Sequence, residues 1–396
     1  MYSTPSKLAV VLFIGIILLI FYINWDSSRA ETESEELNLL ETDSFYEAQF
    51  QVFQDKFSKS YSDDKEKEKR FKVFKDKALK VKKMNAEAKL AGKKVTYGVN
   101  TWSDWTHEEM KEKILTYGQV TYPEGHTTGR EMLLAGQVSK FKPLEDCPAC
   151  TRYPGHSKYT FSNMPTDFDW RDYGAVTDVK NQAECGSCWT FSSTGDVEGA
   201  WYLAGNDLIS LSEQELVACD THINAGCNGG LQELAFMFIE RVGGLVSEDD
   251  YEYKKKNMYT DFISTPNCDS DIVAPGNFAA HIAYWQYVAL GAEDETILQL
   301  SLLKAGPLAI AMNADGMEYY SSGIDDPDDC SSDDLDHAVL LVGYGVEDGV
   351  DYWTIKNSWA DTWGEDGYYR IVRGSNACGV SEDALHTLIN KPTDDD

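Results

Sequence analysis

Hydrophobic and polar positions change regime several times along this 396-residue chain. Residues 8–23 form an unbroken apolar run behind a single Lys7. From residue 45 to about 91 the apolar positions recur at helical spacing: Phe50, Phe53 and Phe57, then Phe71, Phe74 and Val81, with lysines crowding the second helix. Residues 116–163 carry Gly, Pro and polar side chains without a period. Beyond 164, helical spacing returns at 188–203, 212–218 and 231–242. The part after about 275 reads as strands at 337–345, 352–357 and 368–373, with Glu347-Asp348-Gly349 as a hairpin turn. An α+β chain of two or three domains is expected.

The apolar run at 8–23 is slightly long for a signal core and slightly short for a spanning helix. Small residues at Ser28-Arg29-Ala30 favour a cleaved secretory signal over a retained membrane anchor at 8–23. Either brings the remainder into the secretory pathway. Nine cysteines, an odd number, fit several disulfides plus one free thiol in an oxidising compartment. No Asn-x-Ser/Thr acceptor occurs, so no N-glycosylation is expected. The formal net charge of −31 is unevenly spread. From Met164 onward stand 11 Lys+Arg against 43 Asp+Glu, and before it 24 against 23. Such an acidic C-terminal part argues against nucleic acid or an anionic membrane surface as partner, and an acidic compartment would relieve its self-repulsion.

The chemistry concentrates at Asn181-Gln182-Ala183-Glu184-Cys185-Gly186-Ser187-Cys188-Trp189. Cys188 opens the helix predicted at 188–203, where free N–H groups and the helix dipole favour a thiolate. Gln182 lies close enough to donate an amide N–H to an oxygen bound beside Cys188. A structural disulfide and a thioredoxin-like redox pair of Cys185 and Cys188 are the competing readings; the redox pair calls for a preceding strand in a βαβ unit, and no such pattern stands there. Cys147 and Cys150 suit a local disulfide better than a zinc site, because His156 alone does not complete four ligands. No metal and no cofactor are expected.

The Cys-Gly-Ser-Cys-Trp run is similar to that of papain and the cathepsins. Glu66-x3-Arg70-x3-Phe74 and Val81-x3-Asn85 resemble the helical signature of cathepsin L-like propeptides, with Lys77 where that pattern has Asn. Gly98-x-Asn100-x-Trp102-x-Asp104 resembles the second propeptide signature, with Trp for Phe. Met-Pro-Thr-Asp-Phe-Asp-Trp-Arg from Met164 resembles a mature papain-like start. The resemblance implies a signal or anchor over 1–30, a propeptide over 31–163 (inhibitor domain about 45–105, linker 106–163 through the cleft) and a peptidase over 164–396. It implies the papain-like two-domain fold, a helical half packed on an antiparallel β-barrel half with a cleft between, behind a helical inhibitory prodomain.

By the same resemblance the protein is a cysteine endopeptidase made as a zymogen, acting on protein and peptide substrates and inhibited by its own prodomain. Its destination would be a lysosome, an acidic vacuole or the exterior. His337, within Asp336-His337-Ala338, is the implied base, and Asn357, within Asn357-Ser358-Trp359, orients it. Trp359 would shield their bond, and Gln182 with the Cys188 N–H would hold the oxyanion. Gly229 and Gly230 would pair with substrate backbone, with Leu231 and Asp336 beside them. Asp383 would stand at the floor of the pocket for the second residue before the scissile bond, admitting Arg or Lys as well as large apolar side chains. Leu231, Ala311, Leu335 and Ala338 would line that pocket. The implied disulfides are Cys185–Cys227, Cys219–Cys268 and Cys330–Cys378, leaving Cys188 free. Ala183-Glu184, Ala360 and Thr362 depart from the family pattern. An inactive binding homologue, a dithiol oxidoreductase and a secreted prodomain acting as inhibitor are the rival functions.

Overall fold

A computed structural model describes residues 43–136, 138, 140, 158–254, 267–291, 294–328 and 330–389. The apolar run at 8–23, with Cys147, Cys150 and His156, lies outside them. Among the described residues no helix is long and apolar enough to cross a membrane.

The described residues fall into two compact units, one ending at Phe71 and the other beginning at Lys72. In the first, α1 (Asp43–Phe57) carries Phe50, whose ring lies 5.9 Å from Phe53, 5.8 Å from Tyr61 and 5.5 Å from Phe71. The aromatic spacing in the sequence therefore marks one cluster. The helix α2 (Asp64–Ala91) runs into the second unit. There Asn85 exchanges two hydrogen bonds of 2.9 Å with the backbone of Tyr97 in β1 (Val95–Tyr97). β1 in turn pairs antiparallel with β5 (Tyr320–Gly323). Two short helices follow β1, α3 (His107–Lys113) and α4 (Gly129–Leu134). Each starts at a threonine that forms a capping box with a glutamate three residues on, Thr106 with Glu109 and Thr128 with Glu131. Those two boxes were the available signal in a stretch whose apolar period is too short to see.

From residue 164 the chain packs helices against a sheet. β2 (Phe168–Asp169) precedes α5 (Cys188–Leu203), α6 (Glu213–Cys219) and α7 (Gln232–Val242). Ser212 caps α6 through its hydroxyl, and Gly243, at φ 107°, ends α7. The sheet comprises β2, β3 (Tyr284–Leu290), β4 (Leu308–Met312), β6 (His337–Glu347), β7 (Val350–Lys356), β8 (Tyr368–Val372) and β9 (Asp383–Leu388). It is antiparallel in the order β3-β9-β4-β6-β7-β8, with β2 on β6. Its path stays open instead of closing as a barrel. The β6–β7 hairpin turns on Asp348 and Gly349, both at positive φ, as two-residue turns between right-twisted strands require.

The second half also holds a helix where only strands were expected, α8 (Glu295–Ala305). It is buried on most sides, its leucines interleaved with the buried Glu295, Gln299, Ser301 and Lys304, so its pattern carries no helical stripe. α5 is likewise buried along nearly its whole length. Lys180, just before Gln182, lies 2.7 Å from Glu213 and 3.2 Å from Glu198, tying that loop to α6 and α5. Three disulfides close, Cys185–Cys227, Cys219–Cys268 and Cys330–Cys378. Among the described residues Cys188 is the free cysteine.

Candidate active site

Cys188 is the first residue of α5, and its N-cap Ser187 makes no side-chain cap bond. The Ser187 hydroxyl is 2.7 Å from that of Tyr253, which itself donates to the Gln182 carbonyl at 3.0 Å. The Thr190 N–H donates to the Ser187 carbonyl at 2.9 Å, which leaves the Cys188 and Trp189 N–H groups for the sulfur. His337 opens β6, and Asn357 follows β7, the neighbouring strand. His337 Nε2 stands 2.9 Å from Asn357 Oδ1. The Asn357 Oδ1 also accepts the Ser358 N–H at 2.8 Å, which fixes the amide's orientation. Nε2 must then donate, and Nδ1, buried and without a hydrogen-bond partner, is the bare nitrogen. The Trp359 ring stacks on the imidazole at 4.9 Å.

Gln182 is held from both sides by Ser358. Its backbone N–H donates to the Ser358 carbonyl at 2.8 Å, and its Oε1 accepts the Ser358 hydroxyl at 2.6 Å. The amide Nε2 therefore faces the other way, donating to Cys185 O at 2.9 Å and to Ile114 O at 3.3 Å. Ser358 and Tyr253 escaped the sequence reading. The middle position of the Asn-Ser-Trp triplet was the signal for the first, and the sequence carried none for the second.

The segment 114–118 lies across these groups. Tyr117 pairs in parallel with Gly230, the Gly118 N–H donates to the Gly230 carbonyl at 3.2 Å, and the Tyr117 N–H to the Asp336 carbonyl at 3.1 Å. A Cβ on Gly229 would come within 2.3 Å of the Thr116 carbonyl, and one on Gly230 within 2.6 Å of the Trp189 ring. Glycine alone lets this loop lie between backbone and indole. The Tyr117 side chain joins one apolar cluster with Ala311, Ala338, Leu231 and Leu335, and its hydroxyl donates to Asp383 Oδ2 at 2.6 Å. Glu382 faces elsewhere, accepting from Asn376 Nδ2 at 2.7 Å.

Electrostatics follow from that cover. Burial pushes the Cys188 thiol up to about 12, against the pull of the Ala338 and Trp189 backbone N–H groups. Burial likewise pushes His337 down to about 4, with Asn357 opposing. With segment 114–118 in place, burial disfavours both the thiolate and the imidazolium. Loss of water is the reason: neither charge is solvated. Burial also lifts Asp336 to about 7 and Asp383 to about 6.

Residues 164–388 match the papain family cysteine protease model, and residues 50–110 the cathepsin propeptide inhibitor domain. Over 372 residues the chain is 38% identical to Cysteine proteinase 15A of Pisum sativum, covering 89% of this chain and 88% of that one. It is 36% identical over 348 residues to Cathepsin F of Drosophila melanogaster, where it spans half of that protein's length and 86% of its own. Digestive procathepsin L2 from Tenebrio molitor larval midgut superposes with a TM-score of 0.71 at 33% identity, covering 87% of this chain and all of that one. With its fold, its free cysteine at a helix start and its covering N-terminal segment accounted for, the chain belongs to the papain family of cysteine proteases and carries a cathepsin-type propeptide inhibitor domain ahead of the protease domain.

Proposed function

We propose that the protein is the zymogen of a cysteine endopeptidase in which Cys188 is the nucleophile, His337 the acid–base and Asn357 the residue that orients it. The observation that carries this reading is the 2.9 Å contact of His337 Nε2 with Asn357, which leaves Nδ1 bare. Once segment 114–118 leaves and water enters, the helix start favours Cys188 as thiolate and the proton moves to His337 Nδ1. The thiolate adds to the peptide carbonyl, and the oxyanion takes its donors from Gln182 Nε2 and the Cys188 N–H. His337 returns its proton to the leaving amine as the C–N bond breaks. Water, deprotonated by His337, then attacks the thioester and expels the Cys188 sulfur. Each lost oxyanion donor should cost on the order of 10²–10³ in rate. The Ile114 carbonyl on Gln182 Nε2 supports the view that the propeptide blocks this site by standing where a substrate oxygen would.

The remaining assignments join this reading. The propeptide would span 31–163 and be cut near 163, and the enzyme 164–396, after removal of a signal at 1–30. Gly229, Gly230, Leu231 and the Asp336 carbonyl would hold substrate, with Trp359 over the His337–Asn357 bond. The strongly acidic chain from Met164 on supports an acidic destination in the secretory pathway. The pairing of Cys185 with Cys227 weighs against a Cys185–Cys188 redox couple. The test is labelling by a peptidyl epoxide after acid processing. We expect covalent label on Cys188 and peptide hydrolysis, both absent in Cys188→Ala; label without hydrolysis would point to an inactive binding homologue.

A further inference from the structure

Two carboxyl groups close the end of the pocket that Tyr117 fills. Asp383 comes from the first position of β9 and Glu233 from the first turn of α7. Asp383 Oδ1 and Glu233 Oε2 are buried and have no hydrogen-bond partner, while Asp383 Oδ2 receives the Tyr117 hydroxyl. Among the described residues, the phenols of Tyr117 and Tyr122 from the propeptide and of Tyr287 from β3 face the pair. Propeptide helix α4 closes over the same spot, where a Cβ on Gly129 would lie 2.0 Å from the Tyr287 hydroxyl and 3.3 Å from Glu233 Cγ. Burial raises Asp383 to about 6; burial and then the Asp383 charge raise Glu233 to about 8. Both shifts belong to the closed form, in which Tyr117 and α4 keep water from the pair.

We propose, on the basis of the protease reading above, that this pocket selects tyrosine at the second residue before the scissile bond, with Asp383 as the phenol's acceptor and Glu233 as a second specificity-determining carboxyl. Tyr117 is then the propeptide's copy of the preferred side chain. Phenylalanine fits the apolar walls but leaves buried carboxyls without a donor, and a site built to bond a hydroxyl rejects the analogue lacking it. Arginine needs an ionised partner, so its acceptance rises as the pair gains charge, whereas a phenol can bond either form of the carboxyl.

Three matched substrates differing only in Tyr, Phe or Arg at that position test this on mature enzyme normalised by active-site titration. For wild type at pH 5 we expect kcat/KM for Tyr to exceed that for Phe about ten- to hundredfold. Asp383→Leu should erase that ratio. Glu233→Gln, which removes one carboxylate from the pair, should lower the Arg/Tyr ratio at pH 7.5. Equal rates for Tyr and Phe in wild type, or a Tyr preference that survives Asp383→Leu, would overturn the proposal. The wild-type ratio decides alone if the variant does not fold. Hydrolysis of none of the three, with no label on Cys188, would instead count against the protease reading itself.

Discussion

The Lys77 ammonium lies 2.6 Å from Glu318 Oε1, with both side chains buried, at the residue where the propeptide signature has asparagine. Lys77 also donates to the Trp102 carbonyl at 3.1 Å, while His107 Nδ1 stands 3.2 Å from the other Glu318 oxygen. Burial by itself would raise Glu318, yet Lys77 brings it below its ordinary value of 4.5. A carboxylate so lowered stabilises the closed proform above its ordinary range and loses that contribution as pH falls through its native value. Asp325, bonded to the Tyr97 hydroxyl at 2.8 Å, is raised by burial to about 6 and has the opposite sign: its protonation tightens the closed form.

Release is therefore expected to begin below about pH 4.5 and to stay slow at pH 6. In Lys77→Met, Glu318 loses its buried cation, a change that typically costs about 3–5 kcal/mol. Processing of that variant should start at higher pH, followed as the appearance of mature-sized chain between pH 3.5 and 7. An unchanged onset would remove the ion pair from the account.

The two cysteines three residues apart should separate cleanly. Cys185→Ser breaks the bond to Cys227 across 42 residues, a loss typically of about 2–4 kcal/mol, and should lower secreted yield and Tm. Cys188→Ser should keep both and abolish hydrolysis. Normal yield and turnover in Cys185→Ser would contradict this division.

Thiol reactivity should report the covering segment. With burial holding the Cys188 thiol well above its ordinary range in the closed form, almost no thiolate is present at pH 7. A short iodoacetamide pulse should alkylate Cys188 in the proform at least about 10²-fold more slowly than in mature enzyme. The proform rate should climb steadily with pH, while the mature rate stays flat from about pH 5 to 8. Comparable rates in the two forms would show that segment 114–118 does not dehydrate the site.

Ser358 is expected to act through Gln182. In Ser358→Ala the Gln182 amide loses the 2.6 Å bond that fixes its oxygen, so its N–H should be aimed at the oxyanion only part of the time. We expect kcat to fall about tenfold with KM little changed. A matching fall in Tm with kcat intact would assign the serine to packing alone.

Ala360 stands at φ 68°, in the left-handed region, where the family pattern has glycine. A Cβ there costs about 1–2 kcal/mol. Ala360→Gly should recover part of that, raising Tm by about 2–4 °C without changing kcat/KM. A Tm that falls would mean the added chain entropy outweighs the relief.

The local pattern of residues determined a good deal by itself. Apolar spacing delimits the helix predicted at 231–242, because i, i+3 and i+4 positions must share a face; Asp348-Gly349 fixes a hairpin, because both residues tolerate positive φ. The short motifs around Cys188, His337 and Asn357 named the types of group that could meet. What they could not carry is which groups face one another across long separations. Ser358 behind Gln182, Tyr253 beneath Ser187 and Glu233 beside Asp383 are separated by 176, 66 and about 150 residues, and only the tertiary packing brings each pair together. Helix α8 was hidden because a segment buried all round shows no stripe, and the charge state of Cys188 and His337 because burial belongs to the closed assembly of segments, not to any one of them.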